Sequence, residues 1–199
     1  MTSLALKSAP ARRSAAAWLH GAALAVLMVA GAGTVGSRAE DASFSEYEIK
    51  SAWLLNFARF VDWPTTAFES PQSPIVIGIA GKDPFGRLLE KAFSGKTVKG
   101  RSLLVKRMAV DQKLSRCHIL FVSVSERRRF RDIFEKLRAS AVLTVGEADG
   151  FLDEGGIVNF VLKEKSVRFE INVQAAQAAS LKMEANLLKV AVSVRGRYE

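Results

Sequence analysis

Apolar runs of strand length recur along the middle of the chain and alternate with stretches of helical character. Each run is apolar at consecutive positions, which is typical of strands that are covered on both faces. Strands of this kind, separated by helices, predict a parallel sheet with helices on both sides. The predicted strands lie at 75–80, 103–106, 119–124 and 142–145, and the helices between them at 84–93 and 126–138.

The end of the chain has a different pattern. In residues 167–173, apolar side chains alternate with Arg, Glu and Asn, and a short polar turn joins this segment to the apolar run 157–162. Period-two alternation indicates a strand with one wet face, so the two segments should form an antiparallel hairpin at a sheet edge. Helical material follows from Gln174, with a break near 180–183 and a last helix over 184–194. The predicted fold is α/β: a mostly parallel central sheet with helices on both faces and a C-terminal antiparallel β-hairpin plus helix.

The first predicted helix has a clear start and stop. Ser45 and Glu48 have the spacing of a capping box, which places the start there. The helix should end near Asp62, because Trp63 precedes a proline and such residues avoid helical geometry. Apolar side chains fall on one stripe of this helix, which we expect to lie against the sheet. The stripe consists of Ile49, Trp53, Phe57 and Phe60, widened by Leu54 and Val61.

The chain begins with the pattern of an export signal. A basic head precedes an apolar, alanine-rich run over 15–32, and small residues then lead to Ala39. This order is typical of a secretory signal peptide. We expect residues 1–39 to be a signal peptide cleaved near Ala39, and residues 40–199 to form a single domain in the periplasm. Because an apolar run of this length can also stay in a bilayer, an inner-membrane anchor through residues 15–33 is the alternative.

Composition narrows the classes of partner. The whole chain carries a formal net charge of +9, and four bases but no acids precede residue 40, which leaves +5 for the mature part. Mild basicity favours an acidic partner or an anionic surface and gives little reason to expect nucleic acid. Cys117 is the single cysteine, so no disulfide can form within the chain. The apolar run that Cys117 opens predicts that it is buried.

No motif for catalysis, a cofactor or a metal emerges. Gly95-Lys96-Thr97 lacks the earlier glycine of a phosphate loop, since Glu90 occupies that position. The acidic residues of 147–154 do not have the spacing of a calcium loop. His118 is the only histidine left after processing, and the Gly-x-Ser-x-Gly motif is absent, so the usual acyl-transfer arrangements are missing. We therefore expect a non-enzymatic protein with no cofactor and no metal.

One turn is a candidate ligand site. It follows the first predicted strand, at the edge of the sheet where ligands of open α/β folds bind. Backbone amides at the start of the next helix could hold an anion there. Asp83 as N-cap and Pro84 as first helical residue would also explain the turn without any ligand. The candidate residues are Gly81, Asp83, Phe85 and Gly86.

Aromatic residues are dense around the first predicted helix. Core packing explains such residues most simply, but Trp and Phe also dominate the contacts that carry protein–protein affinity. Any of these rings that is exposed is therefore a candidate for contact with a partner. The candidate residues are Trp53, Phe57, Phe60 and Trp63.

Taken in order, several segments resemble the YfiR-like family of periplasmic regulatory proteins. The similarity covers about residues 44–194, nearly the whole mature chain. The single Cys117 is a departure, because disulfide-bearing relatives have several cysteines, and redox control through internal bridges does not carry over. The segments are 47–64, 81–86, 117–121, 143–145, 155–156, 169–172 and 187–191.

The resemblance implies an exported α/β domain without known catalysis. The family's named member binds the periplasmic part of an inner-membrane diguanylate cyclase and holds the enzyme off. An outer-membrane lipoprotein sequesters that inhibitor, after which cyclic-di-GMP rises, and other members are associated with sensor kinases. The family also implies a possible homodimer, which the aromatic helix would suit.

We therefore expect an exported, non-enzymatic regulator that binds the periplasmic domain of an inner-membrane sensor or diguanylate cyclase and represses it. The alternative is a periplasmic small-ligand-binding module that feeds a sensor histidine kinase. A real pocket at the strand ends near Gly81 and Gly146 would favour the alternative.

Overall fold

The computed structural model describes residues 37–110 and 113–196, with side chains described from residue 46 onward. Within these residues the chain forms ten strands and five α-helices. The strands are β1 (Val61–Asp62), β2 (Ile75–Ala80), β3 (Thr97–Val98), β4 (Arg101–Met108), β5 (Ile119–Val122), β6 (Leu143–Gly146), β7 (Val158–Lys163), β8 (Ser166–Asn172), β9 (Lys182–Met183) and β10 (Ser193–Arg195). The helices are α1 (Ser37–Phe60), α2 (Leu88–Phe93), α3 (Phe130–Leu137), α4 (Val173–Ala178) and α5 (Ala185–Val190).

Eight of the strands form one sheet in the order β10-β8-β7-β6-β5-β2-β4-β3. The five adjacent strands β4, β2, β5, β6 and β7 run parallel to one another. Ile77 of β2 lies between Val105 of β4 and Ile119 of β5. β7 and β8 pair antiparallel, with Phe160 opposite Phe169. The α/β class, the mostly parallel sheet and the C-terminal hairpin are therefore confirmed.

The predicted position of the hairpin at the edge of the sheet is wrong. β10 pairs parallel with β8 on its outer side, with Val194 beside Ile171. The last helix ends at Val190, where residues 184–194 were expected to be helical throughout. From Val190 to Arg195 valines alternate with smaller or polar residues, and this short period-two pattern fits a strand better than a helix.

Helices cover both faces of the sheet, as predicted. One core layer joins α1, α2, α4 and α5 to the sheet, with Leu54, Leu89, Ala176 and Leu187 all buried in it. The other layer places α3 over the opposite face through Phe130, Ile133, Phe134 and Leu137, which pack with Phe151.

α1 differs from its prediction in its start and in the face that it buries. It begins at Ser37 rather than at Ser45, because the residues before the capping box also favour a helix. Leu54, Phe57 and Ala58 are completely buried, whereas Ile49 is 43% exposed. The stripe drawn through the large rings is thus only the flank of the buried face. Small side chains such as Ala58 let the helix approach the sheet closely.

Two further helices begin later than predicted. α2 begins at Leu88, because Gly86 adopts a φ of +54°, which interrupts a right-handed helical path. The segment after β5 starts as a 3₁₀ helix over Val124–Arg129, and α3 begins only at Phe130. Ser123, and not Ser125, caps that segment.

The predicted leader lies almost entirely outside the described residues. Residues 1–36, which include the alternative anchor at 15–33, are not among them, and the backbone of 37–39 belongs to α1. In the described part of the chain, no helix combines the length and apolar character that crossing a bilayer requires.

Candidate functional site

The aromatic candidates on α1 divide into one core ring and two flank rings. Phe57 is fully buried and packs on Phe160 and Phe169 at centroid distances of 5.8 and 5.2 Å. Trp53 and Phe60 are half-buried against the same core, and Trp53 meets Phe169 edge-on at 4.7 Å. Phe57 therefore lies in the core and not on the surface.

Beside these rings, Ile49 is 43% exposed. At 100° per residue, Ile49, Trp53 and Phe60 follow one another along the same side of the helix. We call these three residues the α1 flank. It is the side of the helix on which these apolar side chains are at least partly exposed to solvent.

Trp63, the fourth aromatic candidate, anchors a loop. Its Nε1 donates a hydrogen bond to the carbonyl oxygen of His118 at 3.1 Å, and its ring meets the imidazole edge-on. Phe68 stacks on the imidazole at 4.3 Å, and Arg101 lies 3.7 Å above Phe68. Trp63 is therefore held by contacts within the protein.

His118 is tied to the backbone through both ring nitrogens. Nδ1 accepts a hydrogen bond from the Val76 amide at 3.0 Å, and Nε2 is 3.2 Å from the Ala67 carbonyl oxygen, to which it donates. Burial lowers the pKa of His118, and Nδ1 cannot accept the Val76 hydrogen bond once it is protonated. The imidazole therefore acts as a neutral structural link in this arrangement.

The backbone amides of the predicted ligand turn are hydrogen-bonded to side chains of the protein. Asp83 Oδ1 accepts from the Phe85 amide at 2.7 Å, and the Lys82 amide donates to Ser125 Oγ at 3.0 Å. Phe85 is buried against Phe121 at 4.8 Å. Gly81 and Gly86 both adopt positive φ angles, which a tight turn uses. These amides already have partners, so the turn without a ligand explains the residues better than an anion site does.

Arg107 of β4 fixes the same turn from outside. Its Nε donates to Asp83 Oδ2 at 2.9 Å, and its other nitrogens contact Glu90 and the Gly86 carbonyl oxygen. The hydrogen bond from Arg107 lowers the pKa of Glu90 and, reciprocally, the pKa of Arg107 is raised. Asp83 thus supports the turn. The prediction that it caps the following helix is wrong, because α2 begins only at Leu88.

A second cluster, which the sequence did not reveal, lies at the end of β6. Lys50 of α1 places its Nζ 2.5 Å from Glu147 Oε2 and in contact with Glu46. Tyr47 donates its hydroxyl hydrogen to Glu147 Oε1 at 3.0 Å. Burial, followed by the charge of Glu147, raises the pKa of Tyr47. We call these four residues the carboxylate–lysine cluster.

The sequence carried one signal for this cluster. Lys50 lies four residues after Glu46 and four before Leu54, so the spacing places an acid–base pair on the same side of the helix as an apolar residue. The structure shows that this side faces the core, since Lys50 is only 4% exposed. Glu147 directly follows an apolar strand, but nothing in the sequence places it beside α1.

Two clefts open at this edge, where the parallel strands end. One, of about 1040 Å³, lies beside the Asp83 turn and includes Tyr47, Phe85 and Arg87. The other, of about 510 Å³, lies beside the carboxylate–lysine cluster and includes Asn159 and Leu162. We call the second the carboxyl-edge cleft.

Metal and thiol chemistry have little basis in the described residues. No group of three or more His, Cys, Asp and Glu side chains in 37–110 and 113–196 is arranged to hold a metal ion. Cys117 is buried, as predicted, and its Sγ donates to the Leu114 carbonyl oxygen at 3.1 Å. Burial raises the pKa of Cys117 to about 12, so its reactive thiolate form is disfavoured.

Comparison with known proteins identifies one family. A family model described as YfiR/HmsC-like matches residues 47–192. No curated protein has a significant sequence match to the chain.

Two solved structures are similar to part of this chain. A conserved domain protein from Vibrio cholerae O1 biovar eltor has a TM-score of 0.48 and 11% identity over 61% of this chain and 55% of its own. The ABC domain from Streptococcus pneumonia, in complex with L-Trp, has a TM-score of 0.50 and 14% identity over 76% of this chain and 60% of its own. The chain therefore spans little more than half the length of either protein, and at these identities the second likeness concerns the fold alone.

Proposed function

Because the chain belongs to the YfiR/HmsC-like family, we propose that it is an exported, non-enzymatic regulator that binds the periplasmic domain of an inner-membrane signalling protein and represses a diguanylate cyclase. Family membership supports a role in the regulation of signalling. The leader pattern of residues 1–39 supports export.

The α1 flank is the observation that carries this proposal. Ile49 is 43% exposed, and Trp53 and Phe60 are half-buried on a helix whose opposite side is packed into the core. Aromatic and aliphatic side chains held on a rigid element lose little conformational freedom when a partner covers them. Such residues are typical of the centre of a protein–protein contact.

The arrangement of the charged groups supports a binding function rather than catalysis. Lys50 directs its Nζ to two carboxylates, and Asp83 is held by Arg107. His118 makes two hydrogen bonds to the backbone. An enzyme site needs titratable groups that converge on a substrate, whereas each of these groups is already bound to another part of the protein.

Regulation requires unequal affinity for two states of the partner. We propose that the protein binds the inactive state of the membrane protein more tightly, so that its presence lowers the population of the active state. An outer-membrane lipoprotein that removes the regulator would reverse this shift. The same proposal includes a homodimer, which sedimentation of the purified protein at several concentrations would show.

A pull-down from envelope extracts, with this protein as the bait, tests the proposal. Ile49→Glu places a charge on the α1 flank, and Leu104→Glu is the matched control, because Leu104 is 41% exposed on β4. We expect the unaltered chain and the control to retain the same inner-membrane signalling protein, and Ile49→Glu to lose it by about tenfold, as for a contact residue worth more than 1 kcal/mol. Failure to isolate such a protein, or equal retention by Ile49→Glu, would contradict the proposal.

The two clefts at the carboxyl ends of the strands favour a second function, a small-ligand-binding module that feeds a sensor histidine kinase. Ligands of open α/β sheets bind at this edge, and the solved domain with a similar fold is in complex with L-Trp. Thermal-shift measurements with amino acids, small anions and small cations test this function. A melting temperature that none of them changes would count against it.

A further inference from the structure

One strand of the sheet has a largely unpaired side. β3 is the last strand of the sheet, and it pairs only with Arg101 and Ser102 at the start of β4. β2 pairs with the other side of β4, from residue 103 to residue 108. Within the described residues no strand therefore pairs with the outer side of 103–108, which we call the β4 edge.

The turn between β3 and β4 shows which backbone groups this edge offers. Residues 99–100 form a two-residue turn with positive φ angles, and Val98 lies opposite Arg101. In a hairpin of this type the two residues beside the turn exchange both backbone hydrogen bonds, so the backbone groups of Arg101 point to β3. Because this direction alternates along a strand, the N–H and C=O groups of Val105 and Arg107 also point outward, along the β4 edge.

Three exposed cations lie beside this strand. Lys106 belongs to β4, and Lys113 and Arg116 lie just before and at the end of the 3₁₀ helix Leu114–Arg116. All three line two clefts, of about 700 and 620 Å³, and none of them forms an ion pair within the described part of the chain. The larger cleft has no acidic residue in its lining, and the smaller has one, Glu69. We call the three cations the basic groove.

The positive charge of the chain is concentrated in the same region. Residues 106–138 carry ten Lys and Arg but only four Asp and Glu, a surplus of six. The mature part as a whole has a net charge of +5, so this stretch holds all of its positive excess. The stretch comprises the end of β4, β5 and α3 with the segments between them. This side of the molecule therefore attracts an anionic partner.

An extended acidic peptide suits both the open edge and its charge. An unpaired strand edge binds another strand through its backbone groups, and the neighbouring side chains give the specificity. Lysine on an edge strand hinders pairing with strands in general, whereas a strand that carries carboxylates is attracted to it. A second copy of this chain would bring its own Lys106 and Arg107 to the edge, and like charges on paired strands are destabilising.

We propose that the β4 edge binds an extended acidic segment of a partner protein, which adds a strand to the sheet and directs its carboxylates toward the basic groove. The α1 flank packs on β8 through Trp53, and four strands separate β8 from β4. The β4 edge is therefore a separate surface, and repression of a cyclase through the α1 flank does not depend on it.

Titration of the full chain with defined peptides, followed by NMR, tests the proposal. The acidic probe is a capped seven-residue peptide of alternating valine and glutamate, and the basic probe has lysine in place of glutamate. We expect the acidic peptide to bind, more weakly as salt is added, and the basic peptide not to bind. Binding should slow hydrogen exchange of the Val105 amide, which then donates to the peptide. The Lys106 amide, which already points to β2, should change little.

Two variants with the same change of charge separate the basic groove from a general attraction. Lys106→Glu should weaken binding of the acidic peptide about tenfold, because one attraction between exposed charges becomes a repulsion. Lys189→Glu makes the same change at an exposed residue of α5 and should bind the peptide as the unaltered chain does. Equal affinities of the two variants would overturn the role of the basic groove.

The other occupants give different results. If tripolyphosphate binds as tightly as the acidic peptide, and the peptide leaves exchange at Val105 unchanged, the region is an anion site and strand addition is overturned. Binding to phosphatidylglycerol vesicles without binding of the acidic peptide would assign the surface to a membrane and overturn the proposal. Absence of peptide binding alone also overturns it, while retention of the membrane protein in the envelope pull-down would still support the proposed regulator.

Discussion

Lys50 and Glu147 lie 97 positions apart in the sequence, and their Nζ and Oε2 atoms are 2.5 Å apart in the fold. The contact joins α1 to the loop that follows β6, at the edge where the parallel strands end. It fixes the middle of α1, next to Ile49 of the α1 flank. Both residues also line the carboxyl-edge cleft, so the position of the helix and the charge of the cleft both depend on this pair.

Replacing Lys50 with Met should lower stability strongly. The change leaves Glu46 and Glu147 without their shared cation, and the Glu147 side chain is only 11% exposed. Removing one partner of a buried ion pair costs about 3 kcal/mol. Urea denaturation measures this free energy of unfolding.

Arg131→Ala is the control for that measurement. Its pair with Glu154 is exposed, with 75% of the Arg131 side chain accessible to solvent, and exposed pairs contribute less than about 1 kcal/mol. If Lys50→Met and Arg131→Ala lower the free energy of unfolding equally, the Lys50 contact contributes no more than an exposed ion pair.

The strands of the sheet were predictable because their sequences are unusual. β2, β5 and β6 are buried at every position, and only strands covered on both faces have such continuous apolar runs. β10 was missed because three residues are too few to distinguish alternation from the end of a helix. The hairpin partner of β4, the two-residue strand β3, was missed for the same reason.

The candidate site was less predictable, because its contacts are distant in the sequence. The stripe of α1 was drawn through its large rings, but the buried face is centred nearer Leu54 and Ala58, since small residues approach a sheet more closely than tryptophan does. The location of the Asp83 turn was predictable from its proline and glycines. The role of Arg107 in holding it depends on the pairing of β2 with β4, which no local pattern reveals.

The stability of the protein should fall in mild acid because of His118. Burial lowers its pKa in the folded state, whereas an unfolded histidine titrates at about 6.5. The unfolded state therefore binds more protons below about pH 6.5, and the contribution of His118 is complete above that pH and is lost as the pH falls toward the lower folded pKa.

Urea denaturation at pH 7.5 and 5.5 measures this dependence. His118→Asn keeps a side-chain acceptor but does not titrate, so the free energy of unfolding should change less between the two pH values than in the unaltered chain. An unchanged pH dependence in the variant would exclude His118 as its source.

Cys117 should be inert in the native protein. Its thiol is 3% exposed, and burial raises its pKa to about 12, so little thiolate is present at pH 8. We expect a thiol reagent to label the protein only after denaturant is added, with mass spectrometry as the readout. Rapid labelling of the folded protein would contradict this expectation, because it would show that solvent reaches the Cys117 thiol.

Gly146 should not tolerate a side chain. A Cβ there would lie 2.3 Å from the ring of Phe151, and a Cβ on Gly156 would lie equally close to the same ring. Overpacking of this kind costs about 1–3 kcal/mol, so Gly146→Ala should lower the free energy of unfolding by that amount. Phe151→Leu in the same chain should recover part of the loss, because the two changes share one space. Strictly additive losses would contradict this packing.

The most direct test of the proposed function is the cellular concentration of cyclic-di-GMP. It should rise when the gene for this protein is deleted, return to its starting value when the unaltered chain or Leu104→Glu is supplied, and stay raised with Ile49→Glu at equal protein abundance. A concentration that deletion leaves unchanged would contradict repression of a diguanylate cyclase, and full recovery by Ile49→Glu would contradict the α1 flank as its contact surface.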